Sequence, residues 1–443
     1  MKNLISLLLV TLPTLAYNQS LFLPSNDNVI RFIEYSPDGK YVIANSKDNI
    51  LTIWDMETGQ PTHHLPHEQT VYFAEYDATG KYILSSSYMV AGINPVTEGV
   101  SLWNTKTGAL IHKFKDHNHF IKTMDFQPQS ELIITGSKDS TAKIYDIESG
   151  KLLHSLNYHN GSVDFVRFSP AGDKVITASS DGTVKLFDLK TEEVIHSLED
   201  HESEVTYAEF SPDGKSLFTA SDDKTVKEWN FETGTLIKTL NKHPNDVKYL
   251  CFSPDEKYMV TIATDLISRK NSILIWDAAT LDLLHEIEGD LFDDNAPGHR
   301  KFINAAVISN DSKKLITSSF DKTLKIWNLE TGERIKDLNY YAPYLSYHPS
   351  ENKFLAASLS NFTIFDGKTA DEVIQVHIVN DAADKWIHTY DYKYVDTPEE
   401  VLNSIALLKD GHQFPFTDHK EEYYVQGLWS KVMESDTTFI SSE

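Results

Sequence analysis

The chain has 443 residues, with 65 Asp and Glu against 40 Lys and Arg, a formal charge of −25. That length allows one large domain or two ordinary ones. So acidic a chain repels nucleic acid and anionic lipid unless the fold assembles a basic patch, and no run of Lys or Arg marks one. The single cysteine, Cys251, excludes a disulfide within the chain, so stability has to come from a packed core.

Residues 1–16 differ in pattern from the rest of the chain. Lys2 precedes an apolar run over residues 4–15, broken by Ser6, Thr11, Pro13 and Thr14, and Thr14-Leu15-Ala16 places small residues before a cleavage point. These features predict a signal peptide cleaved after Ala16, and therefore an exported chain, periplasmic or secreted. The apolar run is short of the ~20 residues a bilayer span needs. No membrane insertion of the mature chain is expected.

From residue 26 on the chain repeats. Trp54, Trp103, Tyr145, Phe187, Trp229, Trp276, Trp327 and Phe365 each end a strand pattern and are followed directly by Asp or Asn. Their spacings are 49, 42, 42, 42, 47, 51 and 38 residues, close to one four-stranded blade per repeat. Inside a unit, one strand ends in a turn such as Ser211-Pro212-Asp213-Gly214. A second strand leads to a turn containing Asp, a third carries the aromatic anchor, and a Thr-Gly turn opens the fourth. The pattern predicts an all-β propeller over residues 17–379 with eight blades. Seven blades, with an end unit packed as an extension, is the alternative.

These residues resemble the WD-repeat family over about residues 26–379. The resemblance implies that a His ahead of each inner strand hydrogen-bonds the turn Asp and links through a strand Ser or Thr to the aromatic anchor. Five units carry both ends: His117 with Asp139, His159 with Asp181, His201 with Asp223, His243 with Asp265, and His299 with Asp321. The first unit has Asn26 in place of His, and the second has Met89 in place of Asp.

The other histidines do not make a metal site. His63, His112, His154, His196 and His285 take one equivalent position on successive outer strands, where Lys238, Lys336 and Gln375 stand in other units. That tolerance predicts a solvated edge position, with each side chain in a separate blade. No metal and no cofactor is expected, and Cys251 reads as a packed thiol.

Loop lengths separate the two ends of the blades. The Ser-Pro-Asp-Gly and Thr-Gly turns are short throughout. At the opposite end, 6 residues run from Asp223 to Trp229, but 14 from Met89 to Trp103 and 11 from Asp265 to Trp276. Binding usually resides in elaborated loops on a rigid scaffold. The candidate binding residues there are Tyr88, Phe120, Arg269, Lys270, Phe292, Phe302 and Phe320, since aromatics and Arg dominate interface energies. Glu34, Glu75, Asp125, Arg167, Glu209, Cys251, Val307 and Ser346 occupy the equivalent inner-strand position and predict an acidic axial channel with one Arg.

Residues 380–443 leave the repeat. Residues 386–395 predict one or two strands. Thr397-Pro398-Glu399-Glu400 predicts the start of a helix that Gly411 ends, and a second helix is predicted over about residues 418–433. This extension, with Trp386, Asp391, Tyr394, Thr397-Pro398-Glu399 and Gly427-Leu428, resembles the segment after the propeller in bacterial WD-repeat proteins fused to caspase-like peptidases or other effectors. With Cys251 in a repeat strand, no caspase-like dyad is present.

The function expected from these features is an exported protein-interaction scaffold without catalysis. Its partner would be a protein or peptide and not nucleic acid, and the chain would be monomeric. The alternatives are a propeller hydrolase with a channel metal, or a non-catalytic partner subunit of a separate effector.

Overall fold

The computed structural model describes residues 7–9, 19–24, 30, 32–45, 49–89, 96–264, 270–293, 295–358, 361–378, 386–390, 394–396, 406–409 and 412–415. Every element among them is a β-strand. The chain divides into two compact units, residues 72–341 and residues 1–71 with 342–443.

Each repeat forms an antiparallel meander whose first strand is innermost. Blade 1 spans residues 33–66 and blade 2 residues 71–114. Blades 3, 4 and 5 span 121–156, 163–198 and 205–240. Blades 6, 7 and 8 begin at residues 247, 303 and 344. Eight meanders make an eight-bladed propeller, which removes the seven-bladed alternative.

The aromatic anchors seal the spaces between neighbouring sheets. Tyr145 of blade 3 packs with Leu84, Leu102 and Phe114 of blade 2. Trp229 meets Ile176 and Leu186 of blade 4, and Trp327 meets Ile273 and Ile275 of blade 6. In the other unit, Trp54 of blade 1 lies edge-on to Phe362 of blade 8 at 5.7 Å. There Tyr35 N–H donates to Ser346 Oγ across 311 positions of sequence.

The Asp or Asn after each anchor has a local task. Asp277 Oδ1 accepts the N–H groups of Ala279 and Thr280, and Asn328 Oδ1 accepts those of Glu330 and Thr331. Only a side-chain oxygen is required to close this turn, so Asp and Asn serve equally.

Three of the five outer-strand histidines are tied to the next blade, where free edge positions were expected. His112, His196 and His285 each hydrogen-bond through Nε2 to a carbonyl in the next blade's turn, those of Glu148, Glu232 and Glu330, at 3.1, 2.8 and 2.8 Å. Lys238 Nζ reaches Thr280 O at 3.0 Å from the same position. What His and Lys share here is an N–H donor on a side chain long enough to latch one blade to the next. Gly234 shows the fit: its φ is +66°, and a Cβ there would lie 2.6 Å from the His196 ring.

Blade 8 carries two extra strands, Trp386–Tyr390 and Tyr394–Asp396, beyond its outer edge. The predicted helix over 397–411 is corrected in its second half. Ala406–Lys409 pairs with His412–Pro415, Lys409 opposite His412. Asp410-Gly411 between them is a strong two-residue hairpin signal, so Gly411 follows a strand and not a helix. The helix predicted over 418–433 lies outside the described residues. So does most of the predicted signal peptide, except Leu7–Leu9, a strand paired with residues 22–24.

Candidate interaction face

The turns at the elaborated end are built on the His–Asp network. In blade 5, His201 Nδ1 lies 2.6 Å from Asp223 Oδ2, and its Nε2 lies 2.7 Å from Thr219 Oγ1, which also accepts the Trp229 indole N–H at 2.9 Å. With Nδ1–H given to the carboxylate, Nε2 is the acceptor, so Thr219 donates to it. The other Asp223 oxygen accepts both the N–H and the hydroxyl of Thr225. Blades 3, 4 and 7 repeat the His–Asp contact at 2.8, 3.0 and 3.0 Å.

Desolvation, the largest single influence, would raise the Asp223 pKa. The bonds from His201, Thr225 and the Glu202 amide outweigh it and hold the carboxyl well below its ordinary range. Asp181 is held down to about 2 in the same way. Desolvation keeps His159 and His299 below the ordinary imidazole value, against the opposing pull of Asp181 and Asp321.

In blade 6 the described residues repeat the His–Thr–Trp part of this scheme. His243 reaches Thr261, and Trp276 shares that hydroxyl. Asp265 lies outside the described residues, and among those described His243 Nδ1 has no hydrogen-bond partner. Burial pushes its pKa down to about 4.

These turns hold five equivalent residue pairs at the end of the inner strands. Lys138 N–H donates to Phe120 O at 2.9 Å, Ser180 to Ser162 at 2.9 Å, Asp222 to Glu204 at 3.0 Å, Thr264 to Asp246 at 3.0 Å, and Phe320 to Phe302 at 3.0 Å. The backbone bond is constant and the side chains are not. Blade 3 presents Phe and Lys, blade 4 two Ser, blades 5 and 6 mostly acids, and blade 7 two Phe. In the acidic sector Lys248 bridges Asp222 and Asp246.

Two aromatic clusters stand at this end. Tyr88 stacks on Tyr72 at 3.9 Å with the rings 6° apart, and meets Phe120 at 4.2 Å. Phe302 and Phe320 lie 5.8 Å apart, with Tyr341 6.2 Å beyond Phe320. Phe320 is 42 % exposed, and Phe292, in the connection leading to blade 7, is 69 % exposed. Lys270 is exposed, and its carbonyl accepts the Asn245 side-chain amide. Arg269 lies outside the described residues. Tyr72 and Tyr341 carry no signal in the sequence, because each falls outside the repeat positions that mark the turns.

Four of the predicted channel residues, Glu75, Asp125, Arg167 and Glu209, line one cavity of about 400 Å³. Arg167 pairs with Glu209, and Asp125 accepts the Phe168 N–H at 2.7 Å. Desolvation pushes the Asp125 carboxyl up to about 6 against the pull of Arg167. Burial likewise pushes the Cys251 thiol up to about 12, which suits a packed and unreactive group. Among the described residues, no three His, Cys, Asp or Glu side chains are grouped to hold a metal ion.

The four-stranded blades, their anchors and the His–Asp–Thr turns define a WD-repeat β-propeller protein. The family model for the WDR36/Utp21 first beta-propeller matches residues 18–232, and that for the NWD2 C-terminal beta-propeller matches residues 153–348. Protein HIR1 of Kluyveromyces lactis is 29 % identical over 125 residues, covering 26 % of this chain and 14 % of that protein. Nuclear distribution protein nudF of Aspergillus terreus is 29 % identical over 138 residues, covering 27 % and 30 %. Protein groucho of Drosophila melanogaster is 24 % identical over 121 residues, covering 27 % and 16 %. The matched segments thus span less than a third of these relatives. The solved structure of the computationally designed Ika8 protein aligns with a TM-score of 0.61 at 23 % identity, over 76 % of this chain and 95 % of that one, a likeness of fold.

Proposed function

We propose that this chain is an exported, non-catalytic scaffold that holds a protein partner on the elaborated loop face. WD-repeat propellers typically act as protein-interaction scaffolds. The observation that carries the reading is the set of five backbone-matched pairs. One frame repeats from blade 3 to blade 7 while its side chains pass from aromatic and basic through polar and acidic to aromatic. Packing alone would not require a 42 % exposed Phe320 set between Phe302 and Tyr341, whereas large exposed aromatics supply binding energy at interfaces.

The test is partner capture by crosslinking in the native compartment, read by mass spectrometry, with the wild-type chain and a Phe302→Ala, Phe320→Ala double variant. Loss of the captured species with an unchanged unfolding transition supports the face. Equal capture by both chains overturns it. Export rests on residues 1–16, and the mature chain is expected to begin at Tyr17. A mature chain that retains those residues removes that part of the reading.

A further inference from the structure

The aromatic cluster of blade 7 differs from its surroundings in charge. Two short runs frame it, Arg300-Lys301-Phe302 and Phe320-Asp321-Lys322. Arg300, Lys301 and Lys322 flank the exposed Phe320, and Arg300 and Lys301 are themselves exposed. Asp321, the one acid in these runs, is turned inward: Oδ2 takes His299 Nδ1 at 3.0 Å and the Arg300 N–H at 2.9 Å, and Oδ1 takes Thr323. Its charge is spent on the turn. Among the described residues, Lys301 and Lys322 form no ion pair. Arg300 Nη2 donates to Leu291 O at 3.2 Å. Asp293, an exposed acid in the adjoining connection, has its Oδ1 on the Asn295 N–H.

We infer that this patch docks an acidic segment of the partner, one in which a large apolar side chain is flanked by Asp or Glu. The inference rests on the scaffold reading above and names the chemistry of what that face holds. The apolar side chain covers Phe302, Phe320 and Tyr341, and the flanking carboxylates meet Lys301 and Lys322. Apolar contact supplies most of the affinity, and the rim lysines supply selection and association rate.

A chain of charge −25 repels acidic partners at long range. At physiological salt, however, exposed charges beyond about 8 Å are largely screened, so the local lysines decide once contact is made. Blades 5 and 6 show the contrast, with Glu204, Asp222 and Asp246 at the same positions. An acidic segment is repelled there and accepted at blade 7, which sets its place on the face. A basic segment would have the opposite preference.

The test uses the purified full chain and two fluorescent synthetic peptides. One carries a Leu-Phe pair flanked by Asp and Glu; the other has Lys in place of every acid. The acidic peptide is expected to bind at least about tenfold tighter than the basic one, with affinity falling as salt rises. Lys301→Glu with Lys322→Glu is expected to weaken it by about tenfold or more, and Phe320→Ala likewise, with thermal unfolding unchanged. Preference for the basic peptide, no binding of the acidic one, or indifference to charge reversal overturns the inference. Capture of the native partner separates the two readings. Loss with Phe302→Ala, Phe320→Ala but not with charge reversal sinks only the acidic segment, whereas indifference to both sinks the face itself.

Discussion

Thr219→Val isolates one link of the blade 5 network. Thr219 is fully buried, and its hydroxyl lies between Trp229 Nε1 at 2.9 Å and His201 Nε2 at 2.7 Å. Valine keeps the shape of threonine and removes both bonds. Two buried polar groups then lose their partner, each at about 1–3 kcal/mol, so the loss is about 2–6 kcal/mol. Blade 4 is the internal control. Thr177 meets His159 Nε2 at 2.8 Å, but the anchor there is Phe187, which has no N–H to satisfy. Thr177→Val therefore strands one group and costs about 1–3 kcal/mol. The assay is urea unfolding of the full chain at neutral pH, with each valine variant made alone and Thr219→Val also made in a Trp229→Phe background. The excess cost in blade 5, about 1–3 kcal/mol, should disappear in that background. Equal losses from Thr219→Val and Thr177→Val, or an excess that persists without the indole, would refute the shared-hydroxyl argument.

Gly234→Ala should destabilise by about 1–3 kcal/mol, through its positive φ and its contact with the His196 ring. In a His196→Ala background the same substitution should cost less, and strict additivity in thermal unfolding would count against the latch. Acid should unfold the protein through the turn carboxylates. Asp181 is depressed to about 2 from 3.8, so its contribution is complete above pH 3.8 and is lost as pH falls through about 2. The amount at stake is about 2 kcal/mol. Unfolding free energies of wild type and Asp181→Asn, measured from about pH 5 to about pH 2, should show a shallower loss for the variant. Parallel curves would mean that the carboxylate is not ionised in the turn.

The blade count and the inter-sheet anchors are legible because they recur with a period, and a period survives substitution. Trp229, Phe187 and Tyr145 differ in chemistry yet occupy one register position, and each is buried against the preceding blade. The His–Asp turns are legible by resemblance, and the four predicted pairs whose residues are all described are in contact. The outer histidines mislead because variation between His and Lys reads as indifference. The shared demand is a donor aimed at a carbonyl in the next blade, and that carbonyl lies 36 residues away for both His112 and His196. The hairpin after residue 405 reads as a helix because its apolar spacing fits both periods, and Asp-Gly can stop a helix as well as turn a hairpin. At the interaction face, the repeat brings Phe302 and Phe320 together, but Tyr341 joins them from outside it.

Contact between the first and last blades constrains how the protein is made. Blade 1 leaves the ribosome long before blade 8, yet Ile33, Tyr35 and Trp54 share a buried cluster with Leu355, Phe362 and Ile374. Until residues 344–378 emerge, that apolar surface has no native cover, so it is an early target for chaperones and a hazard for misassembly. Chain closure over so long a separation is slow. Once made, it gives the first blade a packed partner in the last, which the terminal repeat of an open array lacks on its outer side.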